Sequence, residues 1–280
     1  MAGKALTLTI VIPVYNEERY LSYCLQAISD QIIKPDQVIV IDNGSTDSSI
    51  KNAKKFDFER SEKEDRKGVL YAAGRGFNAA SGTVVGRIDA DTILPPDWVH
   101  KVKKHFQDSS LSAVTGPVSY YDMPYKKANY WFDHQLRRLT YKYSPNTPFL
   151  YGSNMALRRE VWQALTSKLC EDRSIHEDID LAIHMSRGRH RICYDKDLLS
   201  GASGRRYNDS VRKFLSYIFM YKRTYKKHGI HSFWIYPAMF MWSLGYFYLR
   251  PWRRLWYLYL QKKNPALPYS PDARKNPMAN

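Results

Sequence analysis

A chain of 280 residues, 44% of them apolar, can bury a substantial core, as one large domain or as one domain with an appendage. Three widely spaced cysteines (Cys24, Cys170 and Cys193) give neither a disulfide framework nor a zinc site, and they fit a reducing compartment. The net charge of +16 is uneven: residues 206–280 hold 14 Lys/Arg against Asp209 and Asp272, with 19 of the 40 aromatic residues, so a domain boundary is expected near 206.

In chain order, residues 6–14 read as a buried strand rather than a signal peptide, because only Lys4 precedes the apolar run and Pro13-Val-Tyr-Asn follows it. Tyr15-Asn-Glu-Glu18 opens an amphipathic helix through about Gln31. Residues 38–41 are a second apolar run, typical of a parallel strand covered on both faces. Asp42-Asn-Gly-Ser-Thr-Asp-Ser-Ser, rich in capping residues, then leads into another helix. Residues 60–67 read as a charged loop and 69–80 as helix. Residues 83–88 form the next short strand, followed by Asp89-Ala-Asp91 and a helix opened by Pro95-Pro96.

Residues 113–118 are a strand, with a helix expected around 129–140 in an aromatic and basic stretch. Residues 152–157 read as strand and 159–165 as helix. His176-Glu-Asp-Ile-Asp180 starts a helix with acidic residues in its first turn, where the dipole favours them. Residues 191–195 and 198–203 close the unit. This alternation predicts an α/β fold with an open, mostly parallel sheet over residues 1–205.

Asp89 and Asp91 are the most informative pair. Two carboxylates one small residue apart, at a strand's carboxyl end, suit a divalent cation and the diphosphate it carries. Alone, such a pair also fits a solvated turn. Its neighbours carry more. Val11-Ile-Pro-Val-Tyr-Asn-Glu17, Val40-Ile-Asp-Asn-Gly-Ser-Thr-Asp47, Asp89-Ala-Asp91 and Glu177-Asp178 occur in this order, and together they resemble the family-2 glycosyltransferases of the GT-A fold over roughly residues 6–205.

That resemblance implies roles. Pro13, Tyr15 and Glu17 would line the nucleoside pocket, with Asp42 accepting from the base and Asp89 holding the ribose. Asp91 would bind Mg2+ or Mn2+ with the diphosphate oxygens, and Asp178 would act as the base on the acceptor hydroxyl. Gly152-Ser-Asn154 would lie beneath the donor sugar, where glycine permits close backbone approach.

Two departures stand out. An Arg-Asn pair common in relatives is replaced by Ala73-Gly74, with Arg75 one position beyond, and a metal-supporting histidine has no evident counterpart. Arg205 and Arg206 either grip the leaving diphosphate or simply begin the basic C-terminal region. The Gln-x-x-Arg-Trp motif of processive synthases is absent, which points to addition of a single sugar.

Residues 207–227 place Val211, Phe214, Leu215, Ile218, Tyr221 and Tyr225 on one helical face, with basic residues on the others. Residues 232–249 carry no charge and would reach roughly 27 Å as a helix, just under the ~30 Å hydrocarbon thickness. Basic clusters at both ends favour an in-plane or re-entrant hairpin over a single span; a soluble helical cap is the other reading. Nucleic acid is disfavoured, because the aromatic residues form an uncharged block instead of interleaving with the basic ones. Residues 206–263 are thus expected to associate with an anionic membrane surface, and 264–280 to form a flexible tail.

The expectation is an inverting, metal-dependent enzyme at the cytoplasmic face of a membrane. It would move one sugar from a UDP- or GDP-linked donor to a hydroxyl of a lipid or lipid-linked acceptor. A polyprenyl-phosphate acceptor, a sugar nucleotidyltransferase and a non-catalytic scaffold on a degenerate domain are the rivals.

Overall fold

The computed structural model describes residues 5–57, 60–143, 149–231, 233 and 235–263, so the tail expected at 264–280 lies outside the described residues. In β1 (Leu8–Val14), Leu8, Ile10, Ile12 and Val14 enter one buried cluster and Val11 another, the two-residue period of a strand covered on both faces. The Leu8 layer packs against α1 (Leu21–Ser29) and α4 (Trp98–His105). The Val11 layer includes Ile39 and Ile41 of β2 (Gln37–Asp42). It packs against α3 (Val69–Ala79), α6 (Arg159–Leu165) and α7 (Glu177–Arg187). A Cβ at Gly76 would lie 2.2 Å from Val11 Cγ1, so the glycine is what lets α3 approach β1 closely.

Between these layers lie β3 (Arg60–Lys63), β4 (Val84–Arg87), β5 (Leu111–Thr115), β7 (Met155–Arg158) and β8 (Arg191–Tyr194). With β1 and β2 they form one sheet of order β3-β2-β1-β4-β7-β5-β8. Every neighbouring pair is parallel except β7 with β4 and with β5. A small parallel sheet pairs β6 (Val118–Tyr120) with β9 (Ser200–Ala202). The remaining helices are α2 (Ser49–Ala53), α5 (Lys126–Tyr143), α8 (Val211–Lys227) and α9 (Ile235–Lys263).

Three expectations are corrected. The helix expected to open at Tyr15 begins at Leu21. Asn16 takes a left-handed φ of 54°, and its N–H and that of Glu17 donate to Ser45 Oγ (3.1 Å) and Ser49 Oγ (2.7 Å). Residues 60–63, read as loop, form an edge strand on β2; its charged side chains suit an edge and hide the alternation that marks a strand. Finally, where an in-plane or re-entrant hairpin is expected, residues 235–249 show no reversal of the chain: they belong to one 29-residue helix, α9, which runs through Pro251.

The inward side of α9 explains its continuity. Met239, Tyr246, Arg253 and Leu260 recur every seven residues and are buried. Arg253 donates to Asp122 Oδ2 at 2.9 Å, with both side chains at most 4% exposed. Among the described residues no helix is long and apolar enough to cross a membrane. The boundary expected at 205/206 falls within the 3-10 turn Arg205–Asn208, and bonds cross it. His176 N–H donates to Thr224 Oγ1 (2.9 Å), and Arg223 Nε donates to the Ser174 carbonyl (2.9 Å).

Removing Arg253 leaves a buried carboxylate short of its charge partner. Arg253→Met should therefore lower unfolding free energy by about 3 kcal/mol in urea denaturation, with part of the loss recovered in the Asp122→Asn/Arg253→Met double variant. A neutral single variant would show that α9 is not clamped here.

Candidate active site

The carboxyl ends of β1, β2 and β4 lie side by side in the parallel part of the sheet, and such a crevice is where open α/β sheets bind ligands. A cavity of about 950 Å³ opens there. Pro13, Tyr15, Glu17, Asp89 and Asp91 line it at the strand ends, and Gly152, Asp178, Arg205 and Arg206 line it from other elements. Tyr15 carries the Lys67 ammonium 4.8 Å from its ring centre, while Lys67 donates to the carbonyls of Asn43 and Gly44.

Two expected residues do not line the cavity. Asp42 caps its own turn, with Oδ1 accepting from Ser45 N–H at 2.8 Å. Asn154, expected beneath the donor sugar, is fully buried. Its amide donates to the Pro117 and Leu198 carbonyls (3.0 and 2.6 Å), and its oxygen accepts from Trp98 Nε1 (2.8 Å). With donor and acceptor both spent on the core, Asn154 is a structural residue.

Arg87, overlooked in the sequence, organises the site from the last position of β4. Only 4% exposed, it lies 3.0 Å from Glu177 and 3.4 Å from Asp89. Burial works against its charge, yet Glu177, Asp89 and Asp178 outweigh that and raise its pKa. A lone arginine in an apolar strand was the available signal, since such a group needs carboxylate partners. Gly152 also takes a different role from the one expected. A Cβ there would fall 2.1 Å from Arg87 Nη1, so the missing side chain makes room for the guanidinium. Its N–H donates to Asp178 Oδ2 at 2.9 Å.

Asp178 Oδ1 accepts from Ile179 N–H in the first turn of α7. Burial pushes its carboxyl above the ordinary range; Arg87 and these two N–H groups oppose the shift without cancelling it. Glu177 is raised for the same reason, again opposed by Arg87.

Arg205 forms the second ionic node. It donates to Asp91 Oδ2 at 2.6 Å and to Glu17 Oε1 at 3.0 Å, and it stacks 3.9 Å from the Tyr20 ring. Arg206 instead stacks 3.5 Å from Tyr217, facing α8. Arg75 pairs with Glu62 at the sheet edge (2.7 Å). Asp89 and Asp91 fit a hard divalent cation: through these nodes Glu17, Asp89, Asp91, Glu177 and Asp178 share two guanidiniums, which leaves negative charge in excess.

Beyond Asp178 the cavity becomes aromatic, lined by Tyr151, Tyr217, Tyr221 and Trp242. Arg137 sits 3.2 Å from the centre of the Tyr151 ring and is held bidentately by Asp133 (2.6 and 2.8 Å). His176, packed on Tyr217 and Tyr221, is kept neutral: burial lowers its pKa to about 4.

A sequence profile of the family described as Glycosyl transferase family 2 matches residues 9–166. The chain is 29% identical over 130 residues to the glycosyltransferase GlyA of Streptococcus pneumoniae serotype 4, covering 45% of this chain and 18% of that protein. It is 28% identical over 212 residues to the O-antigen chain rhamnosyltransferase RfbN of Salmonella typhimurium, covering 68% and 64%. The chain thus spans less than two thirds of the length of these relatives. Its fold is similar to that of the mannosyltransferase PcManGT from Pyrobaculum calidifontis, solved with GDP-Man and Mn2+, at a TM-score of 0.63 and 18% identity, covering 93% of this chain and 76% of that one.

The Arg87 node yields a paired expectation. Gly152→Ala should displace the guanidinium and lower turnover by about 10²-fold, the usual cost of a misplaced reacting group, while the thermal unfolding transition stays cooperative. Arg87→Met removes the charge that holds the Asp178 pKa down, so the acidic limb of the rate–pH profile should move to higher pH. A limb that stays in place would separate Arg87 from Asp178.

Proposed function

We propose that this chain, which belongs to glycosyl transferase family 2, moves one sugar with inversion from a UDP- or GDP-linked donor to a hydroxyl of a lipid or lipid-linked glycan at the cytoplasmic face of a membrane. It is an enzyme of the glycosyltransferase type with the GT-A fold. The observation that carries the finer reading is one cavity that joins the acidic pair at the end of β4, Asp178 at the start of α7 and an aromatic compartment walled by α8 and α9.

In this reading Pro13 and Tyr15 hold the nucleoside and Asp89 the ribose. Asp178 takes the proton from the acceptor hydroxyl as its oxygen bonds the anomeric carbon, while the bond from that carbon to the diphosphate oxygen breaks on the opposite face. Mg2+ or Mn2+ on Asp91, with Asp89 beside it, would supply positive charge to the departing diphosphate. Arg205 balances Glu17 and Asp91, and Arg206, its side chain 28% exposed against 6% for Arg205, offers the more accessible guanidinium for phosphate oxygens. A base poised above the usual aspartate range suits a hydroxyl acceptor, since a polyprenyl phosphate is already ionised and needs none. The relatives are consistent with this: one solved neighbour carries GDP-Man with Mn2+, and one relative is a rhamnosyltransferase of an O-antigen chain.

The membrane part rests on α9. Tyr236, Phe240, Leu244, Phe247, Trp252 and Leu255 are all at least half exposed. Spaced three to five apart, they make an outward apolar stripe on a basic helix about 43 Å long, the pattern of a helix lying in the interface.

Purified full-length protein with Mn2+ should hydrolyse one member of a UDP- and GDP-sugar panel. Asp91→Ala and Asp178→Asn should each lower kcat by at least ~10²-fold, and wild-type rates should fall as pH drops through a limb above the ordinary aspartate value of ~3.9. Full activity in either variant would refute the mechanism. For the surface, vesicles containing phosphatidylglycerol should bind the wild type, more weakly as salt rises, and lose most of a Phe240→Ser/Phe247→Ser/Trp252→Ser variant in sedimentation. Equal binding by that variant would remove α9 as the contact.

A further inference from the structure

Away from the cavity, four side chains from three parts of the chain converge. Cys170 lies in the loop before α7, Asp180 and His184 are one turn apart on α7, and His228 caps the end of α8. Their ligand atoms (Sγ, a carboxylate oxygen and two imidazole nitrogens) all fall within 4.8 Å of one another. His228 Nε2 is 2.6 Å from Asp180 Oδ1 and 4.0 Å from Cys170 Sγ, and His184 Nε2 is 3.7 Å from the same Asp180 oxygen. None of the four lines the donor cavity.

His184 Nε2 carries the argument. It is buried, points at Asp180 and makes no hydrogen bond among the described residues. A buried nitrogen left unpaired costs stability, so its place in the cluster calls for a ligand. Asp180 and His228 are almost wholly buried as well, at 1% and 4% exposed.

We propose that Cys170, Asp180, His184 and His228 form a structural zinc site, one that the cysteine spacing gave no reason to expect because three of its four ligands are not cysteines. One thiolate, one carboxylate and two imidazoles make a borderline-soft donor set that suits Zn2+ over the hard cation of the acidic pair. Zn–ligand bonds of ~2.0–2.3 Å set tetrahedral ligand atoms ~3.3–3.8 Å apart, so closing the site needs the 2.6 Å His228–Asp180 contact to open by under ~1 Å and the wider separations, up to 4.8 Å, to draw in by about 1 Å. Binding replaces that hydrogen bond with metal bonds and releases the Cys170 thiol proton to solvent; Zn2+ then balances one thiolate and one carboxylate. Ligation through His228 Nε2 puts its proton on Nδ1, where Arg187 Nη1 now stands at 3.3 Å; the exposed guanidinium can rotate clear of Nδ1 at the cost of reshaping the Nη2 bond to the His228 carbonyl (2.6 Å). The ion would pin the end of α8 to α7, whose first turn carries Asp178, and so fix the helical wall of the cavity to its base.

The full chain purified without chelators should contain close to one zinc per molecule by mass spectrometry. After chelator dialysis, Co2+ alone should restore a tetrahedral visible spectrum with a thiolate charge-transfer band that Zn2+ displaces, and Zn2+ should raise the Tm. Cys170→Ser should abolish the charge-transfer band. His184→Gln should weaken Co2+ binding by more than ~100-fold, beyond the usual loss of an outer-shell partner, and Asp91→Ala should leave the band unchanged. No tetrahedral Co2+ spectrum in the wild type, or the same spectrum in both Cys170→Ser and His184→Gln, would overturn the site.

Discussion

A guanidinium buried at the end of β4 holds the candidate active site together. Arg87 is tolerated there because Asp89, Glu177 and Asp178 surround it, and because Gly152 has no side chain to occupy its place. Removing one partner from a buried ion pair costs about 3–5 kcal/mol, so the groups around Arg87 hold one another in position. Asp89 at the end of β4 and Asp178 on α7 thus share one charge. The spacing between them is a property of the fold and not of a flexible loop. The same charge opposes the rise in the Asp178 pKa that burial causes, leaving a carboxylate that can still ionise.

Arg205 does for Glu17 and Asp91 what Arg87 does for the other carboxylates, and it comes from beyond the last strand. The strand ends therefore acquire their charge balance only when the chain after β9 folds back. The C-terminal helices share in this. Thr224 accepts from the backbone N–H ahead of Glu177, Trp242 and Tyr221 wall the cavity, and Arg253 ties α9 to Asp122. What composition marks as a basic, aromatic appendage is thus one wall of the site, with its apolar surplus turned outward.

Much of this was legible in the sequence, for a simple reason. Strands covered on both faces are apolar runs, and the short turns at their ends display residues that neither layer needs, so Pro13, Tyr15, Glu17, Asp89 and Asp91, which line the cavity, could be picked out from sequence. Asn154 was misread because a polar residue after a glycine at a strand start looks the same whether it faces a ligand or satisfies buried carbonyls. Residues 60–63 were misread because a charged edge strand lacks alternation. The unbroken helix through residues 235–249 was not foreseen because an uncharged block says nothing about which of its faces is buried. That was set by Met239, Tyr246 and Arg253 meeting partners far away in sequence.

By itself the sequence determined the α/β alternation, the family resemblance and the acidic residues at strand ends, because these depend on local periodicity and turn chemistry. Tertiary structure alone decided which charges meet. Arg87 with Glu177, Arg205 with Asp91, Arg253 with Asp122 and His228 with Asp180 are each separated by dozens of residues. A buried charge takes the partner that the fold delivers, and no spacing rule encodes that choice.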